Sequence, residues 1–174
     1  MVDPEHNHEQ NDLEPRPPTD EDLVNLCREL NRLGASYIVI GGFAVITAGY
    51  PRTTLDVDLL VDPSLENEAK VYRALESLPD QAVRQLDPGD VAKFTVVRVG
   101  DEIIVDLMSS AGGLDYGELA KDQVIRMIDG VPIPFASPRA LWRMKEKTHR
   151  AKDAPDLLFL RQQYADQIRG DENS

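Results

Sequence analysis

Gly41-Gly42-Phe43-Ala44-Val45-Ile46-Thr47-Ala48-Gly49-Tyr50-Pro51-Arg52-Thr53-Thr54-Leu55-Asp56-Val57-Asp58 decides how the rest of this chain is read. It follows Tyr37-Ile38-Val39-Ile40, an apolar run that reads as a buried strand. Gly41-Gly42 breaks that strand, Phe43 to Ala48 reads as a short helix, and Gly49 with Pro51 ends it. Thr53 to Val61 reads as a second strand. Side chains alternate along a strand, so Asp56 and Asp58 share one face while Leu55, Val57 and Leu59 share the other. Two carboxylates on one face, with backbones about 7 Å apart, repel each other unless a cation neutralises them. Hard oxygen donors suit Mg2+ or Mn2+. Each part alone also has a plain structural reading: Asp-x-Asp is common, and Gly-Gly makes a tight strand-to-helix turn. Together they place a backbone that can approach a phosphate beside a pair of metal-binding acids. A third acid, Asp106, stands in the otherwise apolar strand Ile103-Ile104-Val105-Asp106-Leu107-Met108.

Outward from this stretch, Thr19 and Asp22 form a capping-box pattern ahead of Leu23, Leu26, Cys27, Leu30 and Leu33, which recur at helical spacing until Gly34. Cys27 lies on that stripe and reads as core packing. Pro63-Ser64 starts a helix whose inner face is expected at Ala69, Val71, Tyr72, Leu75 and Leu78. Lys93–Val99 and Glu102–Met108 read as a hairpin turning at Gly100-Asp101. Gln123–Ile128 and Val131–Phe135 read as another, turning at Asp129-Gly130. Ser137-Pro138 opens a helix to about His149, Lys152-Asp153 sits at a break, and a last helix runs to about Ile168. Two hairpins do not fit an all-parallel sheet. The expected class is α+β, a mixed β-sheet flanked by helices.

A length of 174 residues suits one domain with a small appendage, and 41% hydrophobic residues suffice for a core. Residues 1–18 are polar, acidic and proline-bearing, and read as a disordered tail that contains His6 and His8. Much of the net charge of −12 falls in residues 1–22 and 166–174. The acidity therefore says little against a nucleic-acid ligand for the body. With Cys27 the single cysteine, an intrachain disulfide and a cysteine-cluster zinc site are excluded. No signal peptide and no apolar run of membrane-spanning length is visible, so the expectation is a cytoplasmic protein without a membrane partner.

The motif from Gly41 to Leu59 resembles the signature of the nucleotidyltransferase superfamily with the DNA polymerase β-like fold, and within it the AbiEii-like small bacterial proteins of toxin–antitoxin systems. Met144-Lys145, Arg150-Ala151-Lys152-Asp153 and Asp156-Leu157 are similar to the lysine and Arg-x-Lys-Asp-x-x-Asp pattern that follows the catalytic domain there. The likeness covers roughly residues 20–165. It implies a nucleotidyltransferase core over 19–136 and a C-terminal helical segment, 137–169, packed on the core to close a cleft. It implies Asp56, Asp58 and Asp106 as catalytic metal ligands, the third acting on an attacking hydroxyl. Gly41 and Gly42 would contact the phosphates of a nucleoside triphosphate, Arg52 and Thr54 would line the phosphate side, and Lys145, Lys152, Asp153 and Asp156 would complete the cleft. Many catalytic members carry Gly-Ser where this chain has Gly41-Gly42, although Gly-Gly occurs in the AbiEii-like branch. The activity implied is metal-dependent transfer of a nucleoside monophosphate to a hydroxyl on an RNA 3′ end (tRNA among them), a protein or a small molecule, with a cognate antitoxin or toxin as partner. The alternative is an inactive nucleotide-binding or antitoxin-type module of the same fold. Read by their surroundings alone, Lys93 is a solvated strand flank, Trp142 core or cleft wall, His149 a solvated helix end, and Lys145, Lys147, Arg150 and Lys152 a cationic helix end.

Overall fold

A computed structural model describes residues 14–172; His6, His8 and most of the acidic tail lie outside the described residues. Helix α1 (Asp20–Arg32) starts at Thr19, whose hydroxyl accepts from the Asp22 backbone N–H while the Asp22 carboxylate accepts from the Thr19 backbone N–H. Ahead of the cap, Arg16 ion-pairs with Asp22 and Glu102 and its N–H donates to the Glu102 carbonyl.

Strand β1 (Tyr37–Ile40) runs into α2 (Gly41–Thr47), so the two glycines form the first turn of the helix itself. Strand β2 (Asp56–Val61) begins later than Thr53, because residues 51–54 form the approach loop. Helix α3 (Leu65–Leu75) is capped by the Ser64 hydroxyl. Val71, Tyr72, Leu75 and Leu78 face the core as expected, but Ala69 is exposed, while Asn67 and Glu68 are buried. Both polar groups are satisfied. Asn67 bonds Ser36 and the Asp62 carbonyl, and the Glu68 carboxylate accepts from the N–H groups of Gly89 and Val91.

Two short features precede the first hairpin, a 3-10 turn at Ala82–Gln85 and the one-turn helix α4 (Asp90–Lys93). The hairpin pairs β3 (Val97–Gly100) with β4 (Ile104–Met108), and Gly100 sits opposite Ile104. The turn is thus Asp101 to Ile103, wider than the Gly100-Asp101 expected. Buried Asp101 causes this: its carboxylate accepts from the N–H groups of Asp80, Ala82 and Glu102 and ties the turn to the loop below. A small hairpin of β5 (Ser110–Ala111) and β6 (Leu114–Asp115) leads into α5 (Tyr116–Ala120), none of which the pattern announced.

The last hairpin, β7 (Val124–Ile128) and β8 (Val131–Phe135), turns at Asp129-Gly130 with φ of 50° and 76°, the left-handed pair such a turn requires. Helices α6 (Pro138–Thr148), α7 (Ala154–Gln163) and α8 (Ala165–Glu172) follow, with a 3-10 turn at Ala151–Asp153. The final helix expected to reach Ile168 is therefore two.

The strands form one six-stranded mixed sheet in the order β3-β4-β2-β1-β8-β7, and β5 and β6 pair separately. β2 runs antiparallel to β1 and parallel to β4. β1 touches β8 at the single pair Val39–Phe135. Pro132 and Pro134 account for this, since proline has no N–H to give a second neighbour. Helix α1 packs on α3 and β8, and α6 packs on α2, α7 and α8. One apolar core joins these layers, with Cys27 and Trp142 in it. Among the described residues, no helix is long and apolar enough to cross a membrane.

Candidate metal and nucleotide site

Asp56 and Asp58 project from one face of β2, and the parallel register sets Asp58 beside Asp106 of β4. One carboxylate oxygen from each of the three lies within 4.8 Å of the others, a group able to hold a metal ion. Val57 and Leu59, on the other face of the strand, are fully buried and fix its position. Burial and the neighbouring charges of Asp56 and Asp106 push the Asp58 carboxyl up to about 7, against the opposing pull of Lys145. Burial and Asp106 likewise raise Asp56, with Arg98 opposing. Three converging acids, with the ionisation of Asp56 and Asp58 resisted, are a donor set that a hard divalent cation relieves.

The glycines have a concrete steric reason. Gly41 has φ +65°, and a Cβ there would collide with the Asp58 carboxylate. A Cβ on Gly42 would lie 2.5 Å from Thr54 Oγ1 and 3.2 Å from an Arg52 terminal nitrogen. Serine at 42 would have to displace Thr54, whose hydroxyl donates to the Asp56 carbonyl at 3.1 Å.

Across from the acids, α6 and the turn into α7 contribute a buried ionic network. Lys145 Nζ lies 3.2 Å from Asp153 Oδ1 and 3.1 Å from Asp156 Oδ2. Asp156 also binds Arg52: a terminal nitrogen donates to Oδ2 at 3.0 Å, and Nε sits 3.0 Å from Oδ1 without the alignment of a hydrogen bond. Asp153 accepts further bonds from Thr148 and Arg150. Burial raises its carboxyl, but Thr148, Lys145 and Arg150 outweigh that and hold it below the usual carboxylate range. Asp153 and Asp156 thus face cations of their own chain. Lys152 is exposed, outside the network.

Arg98 of β3 was not anticipated. It stands opposite Asp106 and grips both its oxygens, Nε to Oδ1 and Nη2 to Oδ2, each at 2.9 Å. Its Nη2 is also 3.6 Å from Asp56 Oδ2. A two-residue turn at Gly100-Asp101 would have put Arg98 opposite Ile103 and on the other face of the sheet; the wider turn brings it over the acids. The other candidates are peripheral. Lys93 is exposed over the Phe94 ring at 5.2 Å, His149 is an exposed helix end, Trp142 is buried, and burial pushes the Cys27 thiol up to about 12, unreactive at neutral pH.

This fold is that of the nucleotidyltransferase class. The fold is similar to that of a Thermotoga maritima protein described as a nucleotidyltransferase, at 19% identity and TM-score 0.55 over 79% of this chain and 88% of that one. It is also similar to an antigenic nucleotidyltransferase-like protein from Paracoccidioides brasiliensis, at 19% identity and TM-score 0.50 over 83% and 77% of the two chains. The chain belongs to the family described as "Nucleotidyl transferase of unknown function (DUF2204)", whose model matches residues 19–172. No curated protein matches the chain at a significant level.

Proposed function

We propose that the chain transfers a nucleoside monophosphate from a nucleoside triphosphate to a hydroxyl acceptor. The observation that carries this reading is the convergence of Asp56, Asp58 and Asp106, faced by the Lys145 and Arg52 side chains that Asp156 fastens together. The three acids hold Mg2+ or Mn2+, which when bound supplies positive charge against the nucleotide's phosphates. The remaining roles belong to the chain. Main-chain amides at Gly41 and Gly42, with Arg52 and Thr54, line the phosphate side. Lys145 adds a buried positive charge. Lys152, Asp153 and Asp156 complete the cleft, the two acids by holding Lys145 and Arg52 in place. Asp106 takes the proton of the attacking hydroxyl as its oxygen bonds the α-phosphorus and the bond to pyrophosphate breaks.

The acceptor is a hydroxyl of a tRNA 3′ end, a protein side chain or a small molecule. A place in a toxin–antitoxin pair, and a cytoplasmic location, rest on the AbiEii-like residues and on the sequence alone. The test is incubation with each labelled nucleoside triphosphate, Mg2+ and total cellular RNA and protein. Label on one acceptor class and pyrophosphate release are expected, both lost in Asp58→Asn. Normal transfer by that variant rejects the assignment. One observation favours a second reading, a nucleotide-binding module without turnover: Arg98 already neutralises Asp106, as it would in a resting site. Nucleotide binding by calorimetry with no pyrophosphate released across all acceptors selects that reading.

A further inference from the structure

Arg98 carries a guanidinium into the carboxylate cluster, and it comes from an edge strand. Its fork takes both oxygens of Asp106, and Nη2 extends to 3.6 Å from Asp56. A positive charge therefore stands against two of the three acids that form the cation site. The anchoring is one-sided. The Asp106 side chain is 7% exposed and fixed in the sheet, whereas that of Arg98 is 60% exposed on β3, whose far edge has no strand beside it among the described residues. Rotation about the side-chain bonds of Arg98 would carry its charge into solvent without moving backbone.

From this geometry we infer that Arg98 is an exchangeable counter-ion: it holds Asp56 and Asp106 together while no cation is bound, and it must leave Asp106 for a divalent cation to bind. The proposal rests on the metal-dependent reading of the site. A guanidinium and a divalent cation that share these carboxylates repel each other, and the fork of Arg98 engages both Asp106 oxygens, one of which the cation site would need. Arg98 thus weakens the intrinsic affinity of the acids for metal. Its departure also uncovers the Asp106 oxygen that is to accept a proton.

The rival role is that of a permanent orienting partner, which would strengthen metal binding by fixing Asp106. The two differ in sign. Binding of Mn2+ alone to full-length protein stripped with chelator, followed by the resonance of free Mn2+, separates them without reference to activity. Arg98→Gln is expected to bind Mn2+ roughly tenfold more tightly than the parent, as loss of a like charge of about 1.4 kcal/mol implies. Arg98→Lys, which keeps the charge but cannot fork, is expected to fall between. Equal or weaker binding by Arg98→Gln overturns the counter-ion role while leaving the metal site standing. Absence of Mn2+ binding in the parent and in both variants overturns the metal site, and the exchange with it. Circular dichroism of each variant confirms that the exposed substitution leaves the fold in place.

Discussion

Asp58 is ionised only against its surroundings, and that makes it the most informative residue to alter. Its ordinary value is 3.8 and its value in the fold is about 7, raised first by burial and then by Asp56 and Asp106. Between those values the folded chain keeps a proton that the unfolded chain has released. Stability of the cation-free protein therefore falls as pH rises from about 4 to about 7, and levels off above. Asp58→Asn removes that penalty. In chelator at pH 8 it is expected to raise the melting temperature by several degrees, on the order of 2 kcal/mol, with the gain fading towards pH 5. A gain that is the same at both pH values would show that the raised pKa is not its source. Gly41 makes the complementary case. An alanine there must take up φ +65° and collide with the Asp58 carboxylate. Gly41→Ala is expected to lower Mn2+ affinity and pyrophosphate release together, the latter by about a hundredfold, as for an ångström-scale displacement of a reacting group. Loss of one without the other would separate the glycine from the acid.

The junction of α6 and α7 carries the ionic network, and its worth depends on burial. Asp156 is 3% exposed and serves both Lys145 and Arg52. Asp156→Asn leaves two cations short of a charge inside the protein, so a loss of about 3 kcal/mol is expected by chemical denaturation, with weaker nucleotide binding. Arg150 bonds Asp153 from a half-exposed position. Arg150→Ala should change stability by less than about 1 kcal/mol. If the two substitutions cost the same, the network is not what fastens Lys145 and Arg52. Elements also show where the sequence was readable. The caps at Thr19, Ser64 and Ser137 and the turn at Asp129-Gly130 are local events, set by residues within a few positions of one another, and each lies where the pattern put it. The β3–β4 turn was not readable, because Asp101 is drawn under by amides of residues 80 and 82, some twenty positions away.

At the scale of the molecule, the C-terminal helices finish the core. Leu141, Trp142, Met144, Leu160 and Ile168 are buried. At about 2 kcal/mol for each large buried side chain, their loss is comparable to the whole stability of an ordinary domain. A fragment ending at residue 136 is accordingly expected to lack a cooperative thermal transition; a sharp one would show that the core stands alone. The sequence by itself determined the α+β class, the presence of two hairpins, the helix starts at Thr19, Ser64 and Ser137, and the Asp-x-Asp on which the proposed site rests. It could do so because periodicity, caps and an Asp-x-Asp in an apolar strand are written over short distances. The tertiary structure alone decided which side chains meet. It set Asp106 level with Asp58, turned Asp153 and Asp156 from cleft lining into supports for Lys145 and Arg52, and brought Arg98 onto the acids. These pairings depend on strand register and on packing between distant segments: a register one residue off would have turned Asp106 or Arg98 to the opposite face, and the Asp153 and Asp156 contacts rest on how the C-terminal helices pack.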